Sequence, residues 1–288
     1  MTELTKDTKI LIVGLGVIGG GYAKALTDAG YKHVRCITKN PADVEYAKAR
    51  GMIEYGTTEV EDELVSDSEL IVFALYPHVL LEWVKDYRHL FSGGTIITDV
   101  TGVKSGIVEK LQALMPEGVE FISAHPMAGR EKSGVEYSNA EIFKGANYIV
   151  VPTDKNTKMA INICKSLGKA LGFSKISELQ ISEHDEMIAF LSQLTHCIAV
   201  VLMNSNDKDG LEKYTGDSFR DLTRIAKINE VMWSELFLLN KDALLREMDS
   251  FIEKFAEFRA LIADGNASEM KEKMKKTLYS AEIQLPKQ

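Results

Sequence analysis

A stretch of chemically useful side chains surrounds His125. Residues 122–134 read ISAHPMAGREKSG and begin where a short apolar run predicts the end of a β-strand. Open α/β sheets bind ligands at the carboxyl ends of their parallel strands. Histidine has an ordinary pKa of about 6.5, so at that position it could act as a general base near neutral pH. A lone histidine is often only a surface or core residue, but the charged and glycine-rich surroundings favour a functional loop.

A glycine-rich turn lies near the N-terminus. It contains Gly14, Gly16 and Gly19 in the spacing GxGxxG, and Val17 and Ile18 stand between the last two glycines. The turn follows the apolar run KILIV and opens a segment with helical periodicity. In dinucleotide-binding folds such glycines permit a tight turn, close approach of a pyrophosphate, and packing of helix on strand. The helix N-terminus then offers N–H groups to the phosphates. The pattern predicts binding of NAD or NADP.

The end of the second predicted strand bears on the choice of cofactor. An acid that binds the ribose hydroxyls of NAD is expected there, but the strand ends in Thr38, Lys39 and Asn40. Thr38 and Lys39 could hold the 2′-phosphate of NADP, or Lys39 could be an ordinary solvated lysine. The sequence leaves NAD and NADP open.

The arrangement of predicted elements changes along the chain. Short apolar runs alternate with helical segments up to about Glu178, which predicts βαβ units and a mainly parallel sheet. Long helical patterns follow at residues 182–203, 218–239 and 241–262. We predict an α/β N-terminal Rossmann-type dinucleotide-binding domain over residues 1–178. An all-α C-terminal domain for substrate binding and dimerisation should cover residues 179–288.

Composition limits the classes of partner. The 288 residues suit two domains, and 34 Lys and Arg against 42 Asp and Glu give a net charge of −8, which disfavours nucleic acid. The three scattered cysteines imply no disulfide framework, and no metal-binding motif is present. The apolar stretches near residues 70–81 and 198–203 are too short to span a bilayer, and the N-terminus lacks a signal sequence. We expect a cytoplasmic protein without a metal and without a membrane partner. Its apolar helices predict a homodimer formed through the helical domain.

Several separated motifs resemble the prephenate dehydrogenase family of tyrosine biosynthesis, which includes arogenate and cyclohexadienyl dehydrogenases. HPMAGREKSG is similar to the signature around the family's catalytic histidine. His184 and Asp185 begin a helix that runs to LSQLTH and ends in a second histidine, His196. FRDLTRIA follows at residues 219–226, with Trp233 at the expected distance. The resemblance spans nearly the whole chain.

The resemblance implies NAD(P)-dependent oxidative decarboxylation of prephenate, a small-molecule substrate, to 4-hydroxyphenylpyruvate. Within it, His125 accepts the proton of the ring hydroxyl. Arg224 clamps a substrate carboxylate with two parallel hydrogen bonds, or it forms a helix-surface ion pair with Asp221 that supports this contact. His196 contacts polar groups of the substrate, or it is only a buried helix histidine. Trp233 packs near the pocket.

Two positions depart from the family pattern. The family's DxGSVK motif, whose serine hydrogen-bonds the catalytic histidine, reads DVTGVK here and has Gly102 in the serine's place. Either Thr101 or a water would replace that hydrogen bond. Thr101 is also expected beside the cofactor. Arg130 stands where a small polar residue is common. It could anchor a second carboxylate, or it could neutralise Glu131.

Three alternatives remain at this point. Arogenate carries an ammonium where prephenate carries a keto group; His196 and Arg130 favour prephenate, whereas Glu131 could serve an ammonium. A β-hydroxyacid dehydrogenase or imine reductase would share the architecture, but it would not account for HPMAGRE together with FRDLTRIA. A dinucleotide-binding protein with weakened catalysis is favoured only by Gly102.

Overall fold

The structure is a computed structural model that describes residues 3–129, 132–206 and 209–284. Its internal contacts divide the chain into two units, Met1–Asn240 and Lys241–Gln288. This division falls inside the segment for which we predicted the helical domain. The boundary at residues 178 and 179 stays a prediction.

The first unit is built on a sheet of six parallel strands in the order β3-β2-β1-β4-β5-β6. The strands are β1 (Ile10–Val13), β2 (Val34–Ile37), β3 (Tyr55–Thr57), β4 (Leu70–Phe73), β5 (Ile96–Asp99) and β6 (Glu120–Phe121). The intervening helices are α1 (Val17–Asp28), α2 (Pro41–Ala49), α3 (Asp62–Ser66), α4 (Pro77–Tyr87) and α5 (Val108–Leu114). The strand order reverses direction between β1 and β4, where dinucleotide-binding folds hold their ligand. The predicted Rossmann-type architecture is confirmed.

The central strand β1 is buried on both faces. Ile10 packs in one apolar cluster with Leu26 of α1, and its neighbour Leu11 packs in a second cluster with Val84 of α4. Because side chains alternate along a strand, a run without polar residues places apolar groups on both faces. This explains the unbroken KILIV pattern before the glycine turn.

A second, three-stranded sheet corrects the prediction that a strand ends before His125. The chain leaves the parallel sheet after β6 and continues as β7 (Ser123–Pro126), which pairs antiparallel with β8 (Asn147–Val151). Strand β9 (Lys175–Glu178) pairs parallel with β8 after helix α6 (Lys158–Ala170). The Ser123 hydroxyl and the Ala124 N–H both donate to Oδ1 of Asp99, at 2.6 and 3.1 Å. These bonds hold the chain at the end of β5. His125 therefore lies within a strand rather than in the loop after one.

The remaining helices of the first unit include one long continuous helix. It consists of α7 (Ile181–Ile188), a π-helical segment (Ala189–Leu194) and α8 (Thr195–Asn204). Helix α9 (Asp217–Thr223), a 3₁₀ turn (Arg224–Ala226) and helix α10 (Glu230–Leu239) follow. The predicted single helix over residues 218–239 is thus interrupted. The interruption occurs because extended Asn229 begins a new helix, its side chain accepting a hydrogen bond from the Met232 N–H at 2.9 Å.

The helix Ile181–Asn204 also corrects the expectation that no apolar stretch is long enough to cross a bilayer. Within the described ranges it is the one helix that meets this test by length and composition, with 24 residues. The π-helical segment joins the two flanking helices, so the apolar residues on either side form one run. A core helix of a soluble protein passes the same test, so the finding is weak evidence for a membrane.

The second unit consists of two helices, α11 (Lys241–Ala263) and α12 (Ala267–Gln284). They are linked by an ion pair in which Nζ of Lys273 lies 3.0 Å from Oε2 of Glu257. The aromatic rings of Phe251 and Phe255 stack with centroids 6.0 Å apart. Both side chains are exposed. The apolar stripe of α11 is therefore left largely uncovered within the single chain.

Candidate active site

The glycine turn is shaped by close backbone approach. Gly14 has a φ of +94°, and a Cβ there would stand 2.5 Å from the carbonyl oxygen of Ala74, just after β4. A Cβ at Gly19 would stand 2.0 Å from the carbonyl oxygen of Gly14. At Gly16, by contrast, a Cβ would meet no atom within 4 Å. The first and third glycines are required by packing, whereas the space beside the second is open to a ligand.

The start of helix α1 suits an anion. The helix begins at Val17, followed by Ile18, and its N-cap residue Gly16 supplies no side-chain cap. The first N–H groups of a helix have no partner within it and carry the positive end of its dipole. Together with the open space at Gly16, this geometry fits the pyrophosphate of a dinucleotide.

The residues after β2 lie at the same edge of the sheet. Thr38 is buried, and its N–H donates to the carbonyl of Thr57 at 3.1 Å. Lys39 is exposed. Asn40 caps α2 by accepting a hydrogen bond from the Ala42 N–H at 3.2 Å. Lys39 is thus the cationic side chain placed where the ribose of a dinucleotide would be recognised.

A buried ion pair supports the end of β5. Nζ of Lys104 lies 3.0 Å from Oδ2 of Asp99, and it also donates to the carbonyl of Ala124 at 2.7 Å. Burial lowers the pKa of Lys104, and the negative charge of Asp99 opposes that effect. Since Asp99 also accepts the bonds from β7 described above, the pair fixes the strand that carries His125.

Thr101 belongs to this buried cluster. Its hydroxyl donates to Oδ2 of Asp99 and lies 3.2 Å from both Nζ of Lys104 and the carbonyl of Val103. The hydroxyl is therefore engaged away from His125, and Thr101 does not replace the family's serine. Its expected contact with the cofactor stays a prediction.

Gly102 lies beside the Nε2 and Cε1 edge of the His125 ring. A Cβ at Gly102 would stand 3.8 Å from Nε2 and Cε1 of the His125 ring and 3.6 Å from Cδ1 of Leu236. These are ordinary van der Waals distances, so a Cβ would fit there without a clash. The position where the family has a serine therefore adjoins Nε2 of His125.

The other ring nitrogen of His125 is held by a second histidine. Nδ1 of His125 lies 2.9 Å from Nε2 of His184, whose own Nδ1 lies 2.7 Å from Oδ1 of Asp185. His184 and Asp185 are buried near the start of α7. The motif HD had marked them only as the beginning of a family helix. Their placement next to His125 depends on a contact between residues 59 positions apart, which no local pattern indicates.

Burial sets the protonation of these groups. It lowers the pKa of His125 well below the ordinary 6.5, and the nearby charges of His184 and Lys104 lower it further. It also lowers the pKa of His184, against the opposing effect of Asp185. Burial raises the pKa of Asp185, but hydrogen bonds from His184 and Ser105 outweigh it and leave the value below 3.8. Near neutral pH the two rings are neutral and the carboxylate is ionised.

His196 and Trp233 form a stacked pair. Their ring centroids are 3.8 Å apart at an interplanar angle of 30°, and both side chains are partly buried. Nδ1–H of His196 donates to the carbonyl of Ser192 at 2.8 Å. Trp233 lies three residues before Leu236 on α10, and Leu236 reaches Gly102. Helix α10 therefore connects the stacked pair to the surroundings of His125.

Two buried amides hold α10 against the long helix. Nε2 of Gln193 donates to the carbonyl of Leu236 at 2.9 Å. Nδ2 of Asn240 donates to Oε1 of Gln193 and to the carbonyl of Asp185, each at 2.8 Å. Sequence reasoning missed both residues; the only signal was their polarity within otherwise apolar helical segments.

For the other predicted substrate residues that it describes, the structure gives the element and the exposure. Asp221 lies on α9 and Arg224 begins the 3₁₀ turn after it, and both are exposed. Helix α8, which carries His196, packs against both of these elements. Arg130 and Glu131 lie outside the described residues.

This fold and site define a class. A Rossmann-type sheet with a glycine turn, followed by helices that bring polar side chains to a partly buried histidine, is the architecture of a dinucleotide-dependent oxidoreductase. Residues 22–176 match the family model described as prephenate dehydrogenase, nucleotide-binding domain, and residues 180–276 match its dimerization domain. The chain belongs to the prephenate dehydrogenase family, as the motifs predicted.

Individual relatives agree with the family match. The chain is 31% identical over 251 residues to a prephenate dehydrogenase of Lactococcus lactis, covering 84% of this chain and 68% of the relative. It is 28% identical over 275 residues to that of Bacillus subtilis, covering 92% and 72%. A crystal structure of the Aquifex aeolicus prephenate dehydrogenase with hydroxyphenyl propionate and NAD+ superposes with a TM-score of 0.87. That pair is 29% identical, over 96% of this chain and 98% of the other.

Proposed function

We propose that the protein catalyses the NAD(P)-dependent oxidative decarboxylation of prephenate to 4-hydroxyphenylpyruvate. The observation that carries the proposal is the environment of His125. Its ring is held through Nδ1, its pKa is lowered, and its Nε2 edge lies beside Gly102, which has no side chain. A neutral histidine in that setting is suited to remove a hydroxyl proton.

The proton balance of the reaction gives His125 two tasks. As the ring carbon loses hydride, His125 accepts the proton of its hydroxyl. Loss of CO2 then returns an electron pair to the ring, which becomes aromatic with a phenolate oxygen. His125 stands at the same oxygen and can return the proton to it, so the reaction releases no net proton.

The substrate's two carboxylates need cationic or polar partners. We assign one of them to Arg224, because a planar guanidinium can donate two parallel hydrogen bonds to it. Asp221, one helical turn earlier, would orient that guanidinium. His196 and Trp233 would form the wall on which the substrate's polar side chain and ring rest, since they are stacked and partly buried. Contacts from Arg130 and Glu131 remain expectations from the sequence.

The nicotinamide cofactor supplies the hydride acceptor. The turn at Gly14, Gly16 and Gly19 and the first N–H groups of α1 would hold its pyrophosphate. We propose that Thr38 and Lys39 favour NADP, because residues 38–40 at the end of β2 include no acid. Lys39→Glu should then raise KM for NADP+ at least tenfold relative to KM for NAD+. This is the effect expected when one charge-assisted hydrogen bond to the 2′-phosphate is lost. An unchanged ratio of kcat/KM for the two cofactors would contradict the preference.

Arogenate is a second candidate substrate, and one contact favours it. Nδ1–H of His196 donates to the carbonyl of Ser192. In the neutral Nδ1–H tautomer, Nε2 of the ring would be a hydrogen-bond acceptor. An acceptor suits the ammonium of arogenate better than the keto oxygen of prephenate. Side-by-side assays of kcat/KM with both substrates decide between them.

We also propose a homodimer. In the long helix Ile181–Asn204 only 28% of the most apolar window is buried within the single chain. Its exposed apolar residues are Met187, Phe190, Leu191, Val201 and Met203. A second copy is the natural cover for such a face, and this part of the chain matches a dimerization domain. Light scattering at micromolar concentration should give twice the chain mass of 32.0 kDa. A monomer would contradict the proposal.

The activity itself is tested directly. The purified protein, mixed with prephenate and either NAD+ or NADP+, should produce reduced cofactor, CO2 and 4-hydroxyphenylpyruvate in equal amounts. Cofactor binding without prephenate-dependent reduction would instead indicate a protein with lost catalysis.

A further inference from the structure

We propose that His184 and Asp185 are positioning residues that decide which nitrogen of His125 carries its proton. The carboxylate of Asp185 fixes His184, and His184 fixes His125 with Nε2 as the acceptor. The inference rests on the proposed function only in so far as His125 is the base. The hydrogen bonds among Asp185, His184 and His125 do not depend on which reaction the protein catalyses.

The tautomers follow from the carboxylate end. An ionised carboxylate only accepts hydrogen bonds, so Nδ1 of His184 must donate to Oδ1 of Asp185. In the neutral His184 ring, Nε2 is then an acceptor, and Nδ1 of His125 must donate to it. The neutral His125 ring therefore has its lone pair on Nε2. That is the atom beside Gly102, where a substrate hydroxyl would be met.

Asp185 is held rigidly enough to set the tautomers of His184 and His125. Its Oδ1 accepts the N–H of Lys104 at 3.0 Å, and its Oδ2 accepts the N–H of Ser105 at 2.7 Å. Its backbone carbonyl accepts Nδ2 of Asn240 at 2.8 Å. The side chain is 4% exposed, so water does not compete for the carboxylate. Both oxygens are engaged by backbone groups that cannot rotate away.

The glycine at position 102 makes this support more important. Glycine has no side chain with which to orient the Nε2 edge of His125, and Thr101 uses its hydroxyl elsewhere. Among the described side chains, His184 therefore holds the His125 ring, through a hydrogen bond at Nδ1. When His125 takes up a proton, the polarised His184 stabilises the charge without itself moving a proton, as an oriented base partner does.

Two substitutions separate positioning from packing. His184→Gln can place an amide oxygen near the former Nε2 and keep the acceptor, whereas His184→Leu fills the space and removes it. We expect His184→Leu to lower kcat on the order of 10²-fold, the lower range of general-base contributions. KM for prephenate and Kd for the cofactor should change by less than about threefold, because His184 is fully buried and is not expected to contact either ligand. His184→Gln should recover most of the lost kcat. His33→Leu, which removes an exposed histidine 3.0 Å from Glu54, is the matched control and should leave kcat unchanged.

A measurement without turnover keeps the proposal testable if a variant fails to fold. Nitrogen-15 NMR of the wild-type protein at pH 7 should show His125 and His184 both as neutral Nδ1–H tautomers. His125→Asn identifies the His125 signals. A His125 ring protonated on Nε2 would overturn the proposal, as would equal losses of kcat in the Gln and Leu variants. If the wild type does not oxidise prephenate, the proposed function fails, while the NMR result still tests the positioning.

Discussion

The ammonium group of Lys104 lies 3.0 Å from Oδ2 of Asp99, and both side chains are completely buried. The pair joins the end of the parallel sheet to β7, because Asp99 accepts bonds from Ser123 and Ala124 and Lys104 donates to Ala124. The position of the His125 ring therefore depends on the buried charges of Asp99 and Lys104. Such pairs are costly to break, since the remaining partner stays buried without compensation.

Lys104→Ala should therefore destabilise the fold strongly. Removing one partner of a buried pair costs about 3–5 kcal/mol, measured as the change in free energy of unfolding in urea. Lys9→Ala, which removes an exposed ion pair with Asp67, is the control and should cost about 1 kcal/mol or less. Similar small losses in both variants would show that the buried pair does not support the fold.

The glycine turn makes a prediction with an internal control. Gly14→Ala should destabilise the protein by about 1–3 kcal/mol or more, because φ is +94° and the new Cβ would meet the Ala74 carbonyl oxygen. Gly16→Ala meets no protein atom within 4 Å and should keep the wild-type melting temperature. It should nevertheless weaken cofactor binding, since its methyl group occupies the space assigned to the pyrophosphate. Thermal unfolding and fluorescence titration with NADH and NADPH measure the two effects. Wild-type cofactor affinity in Gly16→Ala would refute the assignment.

The pH dependence of activity follows from the lowered pKa of His125. The base must be neutral, and its pKa lies well below 6.5 because the ring is buried near other charges. Activity should hold on lowering the pH through 6.5 and fall only at more acidic values. A profile of kcat/KM for prephenate against pH shows this; an acid limb centred at or above 6.5 would contradict the neutral buried base.

Stability should decline over the same acidic range. In the unfolded chain His125 and His184 regain the ordinary pKa of 6.5, while both values are lower in the folded protein. Below pH 6.5 the unfolded state therefore binds more protons, and the free energy of unfolding falls as the pH falls toward the folded values. Urea unfolding of the wild type and of His184→Gln across pH 5 to 7 tests this. The wild type should show the steeper dependence.

Arg224 should act mainly on substrate affinity. Arg224→Ala should raise KM for prephenate about 10- to 100-fold, the cost of one or two charge-assisted hydrogen bonds, with a smaller change in kcat. Arg224→Lys keeps the charge but loses the planar fork, so it should recover only part of the affinity. If Arg224→Ala leaves KM unchanged, the exposed Arg224 serves the surface of α9 instead.

Features set by local sequence were predictable, and features set by distant contacts were not. The turn at Gly14 follows from the residues on either side of it, and so does the strand before it. His125 was expected after a strand, but it lies within one because Asp99, far earlier in the chain, redirects β7. The role of His184 was likewise hidden, since an HD pair gives no sign of which side chain it will meet. The break before α10 depends on one capping residue, Asn229, which the apolar pattern around it concealed.

The turnover of His125→Asn tests the central claim most directly. Asparagine keeps a polar side chain of similar reach at Nδ1 but offers no basic nitrogen at Nε2. With prephenate and NAD(P)+, kcat should fall about 10²–10⁴-fold, while KM for prephenate and Kd for the cofactor stay close to the wild-type values. Turnover near the wild-type rate in this variant would contradict the account of His125 as the base.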